Sequence, residues 1–222
     1  MLTELNKVID VEGLMLIEHE SVGEPSLILM HYVSEFTKQK ANVVYVSLNQ
    51  SEEMLRTVCG KLAIRLDQNL FHFIPWKLVL SGGPSSSMNT FDWLEELILS
   101  KINPSMKSLI IFDNAMAFSS LSHDPTEAVQ FSQRIRQTLQ PGSITLLASG
   151  NQSYFMGFED IASAYFRLKL VNRGSGKNVT GVLELEHHPT LFDATTQQHI
   201  YHYLVGERSL KLFMPGATQF II

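Results

Sequence analysis

Residues 106–120 read MKSLIIFDNAMAFSS. Ser108 to Phe112 is a short apolar run with no polar alternation, the pattern of a strand buried on both faces in a parallel sheet. Asp113 and Asn114 close it, and small and polar residues follow. The C-terminal end of such a strand is where α/β sheets bind their ligands. In nucleotide-hydrolysing folds an aspartate at this place holds magnesium. From this stretch alone the plainer reading of Asp113 is a turn or cap residue. The choice between the two depends on the loop that leaves the first strand, where a partner phosphate loop would sit.

Outward from this strand, the front of the chain alternates strand and helix. Leu2, Leu5, Val8 and Ile9 recur at helical spacing, so residues 1–12 read as a short N-terminal helical segment ended by Gly13. Leu14 to Glu18 is the first buried strand, and Pro25 opens a helix running to about Gln39. Val43 to Leu48 is a β-branched second strand. Ser51 caps the next helix, with Glu52 and Glu53 in its first turn and Cys59 on it as an ordinary buried residue. Phe71 to Trp76 is a third strand closed by proline, and residues 81–88 are a loop by composition. Helices over 91–102 and 125–139 flank the central strand, and Ser143 to Ser149 is another buried strand.

Behind this point the pattern changes. Ala164–Val171 and Val179–His187 read as a hairpin around Gly174 and Gly176, and Tyr201–Val205 with Leu210–Phe213 as a second. The chain is therefore expected to be one α/β domain over residues 1–222. Its mostly parallel sheet is covered by helices and extended at one edge by an antiparallel region, 161–222.

A phosphate-loop fold needs Gly-x-x-x-x-Gly-Lys-Ser/Thr between its first strand and first helix. The chain has His19-Glu20-Ser21-Val22-Gly23-Glu24-Pro25-Ser26 there. Aligned on Ser26, proline takes the lysine position; aligned on Gly23, Glu24 takes it. Neither register supplies a lysine, Glu18, Glu20 and Glu24 add negative charge, and Pro25 removes a backbone donor. The layout is that of a phosphate-loop ATPase with its chemistry removed. Gly23, Glu24, Pro25, Ser26 and Asp113 are the degenerate nucleotide-loop positions.

The 222 residues carry a net charge of -5 and one cysteine, which excludes an internal disulfide and argues against a general nucleic-acid binder. No stretch reads as a signal peptide or membrane span. The pairs His187/His188 and His199/His202 (the latter on one face of a helix, were one to form) lack cysteine or carboxylate companions at zinc-site spacing, so no metal is expected. Asn49, Gln50 and Asp113 fall at predicted strand ends, as remnants of a lost site or contacts to a neighbouring subunit. Residues 161–183 carry Arg167, Lys169, Arg173 and Lys177 and no acid. Such a strip follows a phosphate backbone, or else is a charged sheet edge that discourages pairing.

The start MLTELNKVID, the strand SLIIFDN and the tail RSLKLFMPGATQFII resemble the sixth-subunit family of the Elongator complex. That resemblance implies a RecA-like fold without nucleotide-binding motifs. It implies assembly with two related RecA-like subunits, the fourth and fifth, into a hetero-hexameric ring that binds tRNA. The ring serves wobble-uridine modification, whose chemistry belongs to catalytic Elongator subunits. The resemblance supplies no catalytic residue, cofactor or membrane partner, and implies a cytoplasmic and nuclear location. Two alternatives stay open: an active ATPase with Asp113 as magnesium ligand, and a scaffold with no RNA contact.

Overall fold

The computed structural model describes residues 12–20, 25–81, 90–171, 179–188, 197–206 and 210–216. Their strands are β1 (Gly13–His19), β2 (Asn42–Ser47), β3 (Phe71–Pro75), β4 (Ser108–Phe112), β5 (Ile144–Ser149), β6 (Ala164–Leu170), β7 (Gly181–His187), β8 (Gln197–Val205) and β9 (Leu210–Phe213). The helices are α1 (Pro25–Lys38), α2 (Glu52–Lys61), α3 (Trp76–Ser81), α4 (Thr90–Leu99) and α5 (Pro125–Thr138), with 3-10 turns at Ala115–Ser120 and Gln152–Phe155.

All nine strands form one sheet, ordered β3-β2-β4-β5-β1-β6-β7-β8-β9. β1 lies between β5 and β6 and is parallel to both. β6 and β7 form the expected antiparallel hairpin, but β6 is also parallel to β1, so it joins the parallel body to the antiparallel edge. The reason is that Ala164 to Leu168 fills the open side of β1, and β7 then reverses direction.

Every residue of β2, β4 and β5 is buried, as an apolar run covered on both faces requires. On one face Met15, Ile17, Val43, Tyr45, Leu109 and Ile111 pack against α1 and α2. On the other, Leu16, Val44, Ile110 and Phe112 pack against α3, α4 and α5. The rings of Phe91, Phe112, Phe118 and Phe131 meet there at centroid distances of 5.0–6.0 Å. The caps follow the sequence: the Ser51 hydroxyl accepts from Met54 N, and Asp124 accepts from Thr126 N ahead of Pro125. Cys59 is buried on α2 beside the Met30 sulfur.

Three further expectations change. Trp76 starts α3 instead of ending β3, and its indole N–H donates to the Ser120 hydroxyl at 3.2 Å. β8 begins at Gln197, so His199 and His202 lie on a strand and point to opposite faces. β7 begins at Gly181 rather than Val179, and a Cβ there would strike the Lys169 carbonyl and the Tyr203 hydroxyl, so no larger residue fits at this position without a shift. The helical segment expected over 1–12 lies outside the described residues but for Glu12, as do Gly23, Glu24, Arg173, Lys177 and the apolar tail. No helix among the described residues is long and apolar enough to cross a membrane.

Candidate functional site

The six parallel strands end at one edge of the sheet, and Asp113 stands there at the end of β4, 3% exposed. Its carboxylate turns sideways toward β2. One oxygen accepts from the Ser47 hydroxyl, and the other from the Leu48 backbone N–H at 2.8 Å. The Asn49 side chain donates to the Asp113 carbonyl at 3.2 Å and accepts from the Asn114 amide at 3.1 Å. Ser47 also accepts from Gln50 N at 3.0 Å, and the Gln50 amide donates to the Tyr45 hydroxyl at 2.7 Å. Burial raises the Asp113 pKa above its ordinary value, against the opposing pull of the Ser47, Leu48 and Asn49 donors. Asn49, Gln50 and Asp113 are thus brought together, as a brace between β2 and β4.

The end of β1 is occupied in a similar way. Glu18 accepts from the Tyr165 hydroxyl at 2.9 Å and faces the Arg167 guanidinium at 3.6 Å. Arg167 lies over the Tyr165 ring, 4.1 Å from its centroid, and pairs with Glu186 at 2.8 Å. Lys169 pairs with Glu184 at 2.7 Å. Arg167 sits opposite Glu184 and Lys169 opposite Val182, so both ion pairs are diagonal across β6 and β7. The Glu20 carboxylate accepts from Leu170 N at 2.8 Å. The chain leaving β1 is therefore tied to β6 by two of the glutamates that stand where a phosphate loop would begin.

No protein-family profile matches the chain, and no curated protein matches it. Solved structures do match in fold. Flagellar accessory protein FlaH from Methanocaldococcus jannaschii superposes with a TM-score of 0.68 at 16% identity, covering 95% of each chain. A KaiC-like protein from the hyperthermophilic archaeon Pyrococcus horikoshii OT3 gives 0.62 at 12% identity, over 91% of this chain and 89% of that one. An uncharacterized Pyrococcus horikoshii protein in complex with an unknown peptide gives 0.65 at 13% identity, over 97% and 98%. The fold is RecA-like.

Within the RecA-like fold the residues read from the sequence divide into three groups. Pro25 and Ser26 are the first two residues of α1, and Pro25 is buried. Asp113 lies at the C-terminal end of β4, where each of its carboxylate oxygens accepts one hydrogen bond from the β2 side, from Ser47 and from Leu48. Arg167 and Lys169 share a face of β6, as alternation requires, and each is paired with a glutamate. Arg167 and Lys169 are thus not unopposed cations, because β7 brings Glu184 and Glu186 back against them. Among the described residues no three His, Cys, Asp or Glu side chains are grouped to hold a metal ion. His187 and His199 meet edge to face at 5.9 Å, on the face opposite His202.

Ser47, Tyr165, Glu184 and Glu186 belong to this site and were not singled out in the sequence. Glu184 and Glu186 carried a signal, since they alternate with Leu183 and Leu185 in a strand facing Arg167 and Lys169. Ser47 carried none: it lies 66 residues from Asp113.

Proposed function

We propose that this chain is a non-catalytic RecA-like subunit of an Elongator-type hetero-hexameric ring. Its companions there are the two related RecA-like subunits, the fourth and fifth. The ring binds tRNA and presents it to the catalytic Elongator subunits for wobble-uridine modification. The observation that carries the non-catalytic part is the Asp113 brace: the carboxylate best placed for magnesium is spent on β2. The loop after β1, which has no lysine, supports it from the sequence. The Elongator part rests on the resemblance of the chain's start, central strand and tail.

Arg167 and Lys169 already have carboxylate partners, so this reading puts the RNA contacts on Arg173 and Lys177, between β6 and β7. Such contacts go to phosphates and are largely independent of sequence. In the assembled ring, Arg173→Glu with Lys177→Glu is expected to weaken tRNA binding roughly tenfold at moderate salt. The slope of log K against log salt should become shallower by roughly 0.7–0.9 for each phosphate no longer neutralised. A titration of tRNA across a salt series, on rings of verified composition, checks both. Parent-like affinity and slope would make the chain a scaffold without RNA contact.

A further inference from the structure

Nine large apolar side chains are exposed among the described residues, and six of them follow the C-terminal ends of β2, β3, β4 and β5: Leu48, Met54, Leu78, Leu80, Met116 and Met156. These four strands are adjacent and parallel, so the segments that carry the six side chains all leave the same edge of the sheet, Met54 toward the α2 face and Leu78 and Leu80 toward the α3 face. The segments after β2, β4 and β5 each contribute one methionine, Met54 from the first turn of α2, Met116 from the first 3-10 turn and Met156 just past the second, 58%, 44% and 65% exposed. The loops are joined to one another. Asn114 donates to Asn49 at 3.1 Å between the first two, and Phe118 stacks on Phe158 at 6.0 Å between the last two.

Between the two 3-10 turns lies a cavity of about 170 Å³, with Phe118, Tyr154, Met156 and Phe158 on its apolar side and Ser119, Ser122, His123, Asp124 and Ser153 at its polar side. A volume of about 150 Å³ is enough for a benzene-sized group, and here the group would lie with one side on aromatic rings and the other on polar side chains. The charge along this edge is predominantly negative. Segments 48–57, 76–81, 113–127 and 150–161 contain seven acidic residues, Asp113 included, against Arg56, which is paired with Glu52, and the exposed Lys77; His123 lines the cavity itself. Asp113 is buried in its brace, while Glu53, Asp124 and Asp160 are exposed. A phosphate-bearing ligand would be repelled here. Unbranched, polarizable methionines ringed by carboxylates instead suit apolar side chains carried on a cationic backbone segment.

We propose that this edge is a docking surface for a basic amphipathic segment of a protein partner. One apolar side chain of that segment fills the cavity between the 3-10 turns. Others lie on Met116, Met54 and Leu48, and lysines or arginines meet the surrounding carboxylates. The nucleotide edge of a RecA-like fold becomes in this chain a peptide-binding edge. The proposal goes beyond the Elongator reading and does not need it, since it concerns the chemistry of one surface and not the identity of the assembly.

The test uses the chain alone and three short fluorescent probe peptides: a leucine/lysine amphipathic helix former, its leucine/glutamate counterpart, and a serine/lysine peptide of equal charge. The leucine/lysine peptide is expected to bind and the other two are not. Met116→Ser with Met156→Ser should weaken binding roughly tenfold. Glu159→Lys with Asp160→Lys should abolish it, and Ile200→Ser with Met214→Ser, far along the sheet, should leave it unchanged. Equal binding of the serine/lysine peptide, parent-like binding by the methionine variant, or no binding of any probe would each overturn the proposal. None of these outcomes bears on whether the chain joins a ring with the two related subunits.

Discussion

Asp113→Ala is expected to destabilise the fold by about 2–4 kcal/mol, because it leaves the Leu48 N–H and the Ser47 hydroxyl without their shared acceptor in a buried place. Asp113→Asn is expected to cost less than about 1 kcal/mol. The amide oxygen still accepts from Leu48, and Ser47 can turn its hydroxyl to the Gln50 carbonyl, 3.1 Å away. The amide also carries no charge to desolvate. The pH dependence separates the two variants further. Burial holds the Asp113 pKa above its ordinary 3.8, so the folded state keeps the proton more tightly than the unfolded state. The stability linked to that proton is present below 3.8 and is lost as pH rises through the higher folded value. Asp113→Asn should remove this slope. Urea melts of parent and both variants from acid to neutral pH read all of these effects. A magnesium ligand would behave oppositely: asparagine would abolish labelled-ATP binding, whereas no ATP binding is expected from the parent chain.

The second large effect is acid destabilisation through His31. This residue is 2% exposed on α1, edge to face with Tyr32 at 5.6 Å. Burial pushes its pKa down from 6.5 to about 4, with Glu35 opposing and Lys38 reinforcing the shift. The unfolded chain takes up a proton near pH 6.5 that the folded chain refuses. The stability from neutral His31 is therefore complete above 6.5 and falls as pH drops toward 4, by about 3 kcal/mol over that interval. His31→Leu should flatten the stability profile between those values. An unchanged profile would mean that another group governs the acid limb.

The sheet was legible because its strands are short, apolar and bounded by turn residues. Ser108–Phe112 and Ile144–Ser149 have no alternation to misread, and burial on both faces follows. α3 was not legible, since Trp76-Lys77-Leu78-Val79-Leu80 has only one polar position and is too short to show a helical period. The start of β8 was missed because Gln197 and Gln198 are exposed and give no apolar signal.

The site was half legible, and the missing half is tertiary. Asp113 was placed correctly at a strand end, but its use depends on which strand lies beside β4, and no local pattern reports that Ser47 does. Arg167 and Lys169 looked unopposed because charge was counted along a window that stops at Leu183. The antiparallel turn brings back Glu184 and Glu186 from just beyond it. The three exposed methionines of the C-terminal edge are spread over about a hundred residues of sequence. Only the parallel order β2-β4-β5 gathers them.

We propose that this RecA-like chain works by assembling and not by hydrolysing nucleotide. Native mass of the chain co-expressed with the two related subunits tests it most directly. The account predicts a single hexameric species containing all three chains, formed without added nucleotide and unchanged in mass by Asp113→Asn. A chain that stays monomeric while its two companions assemble without it would contradict the account.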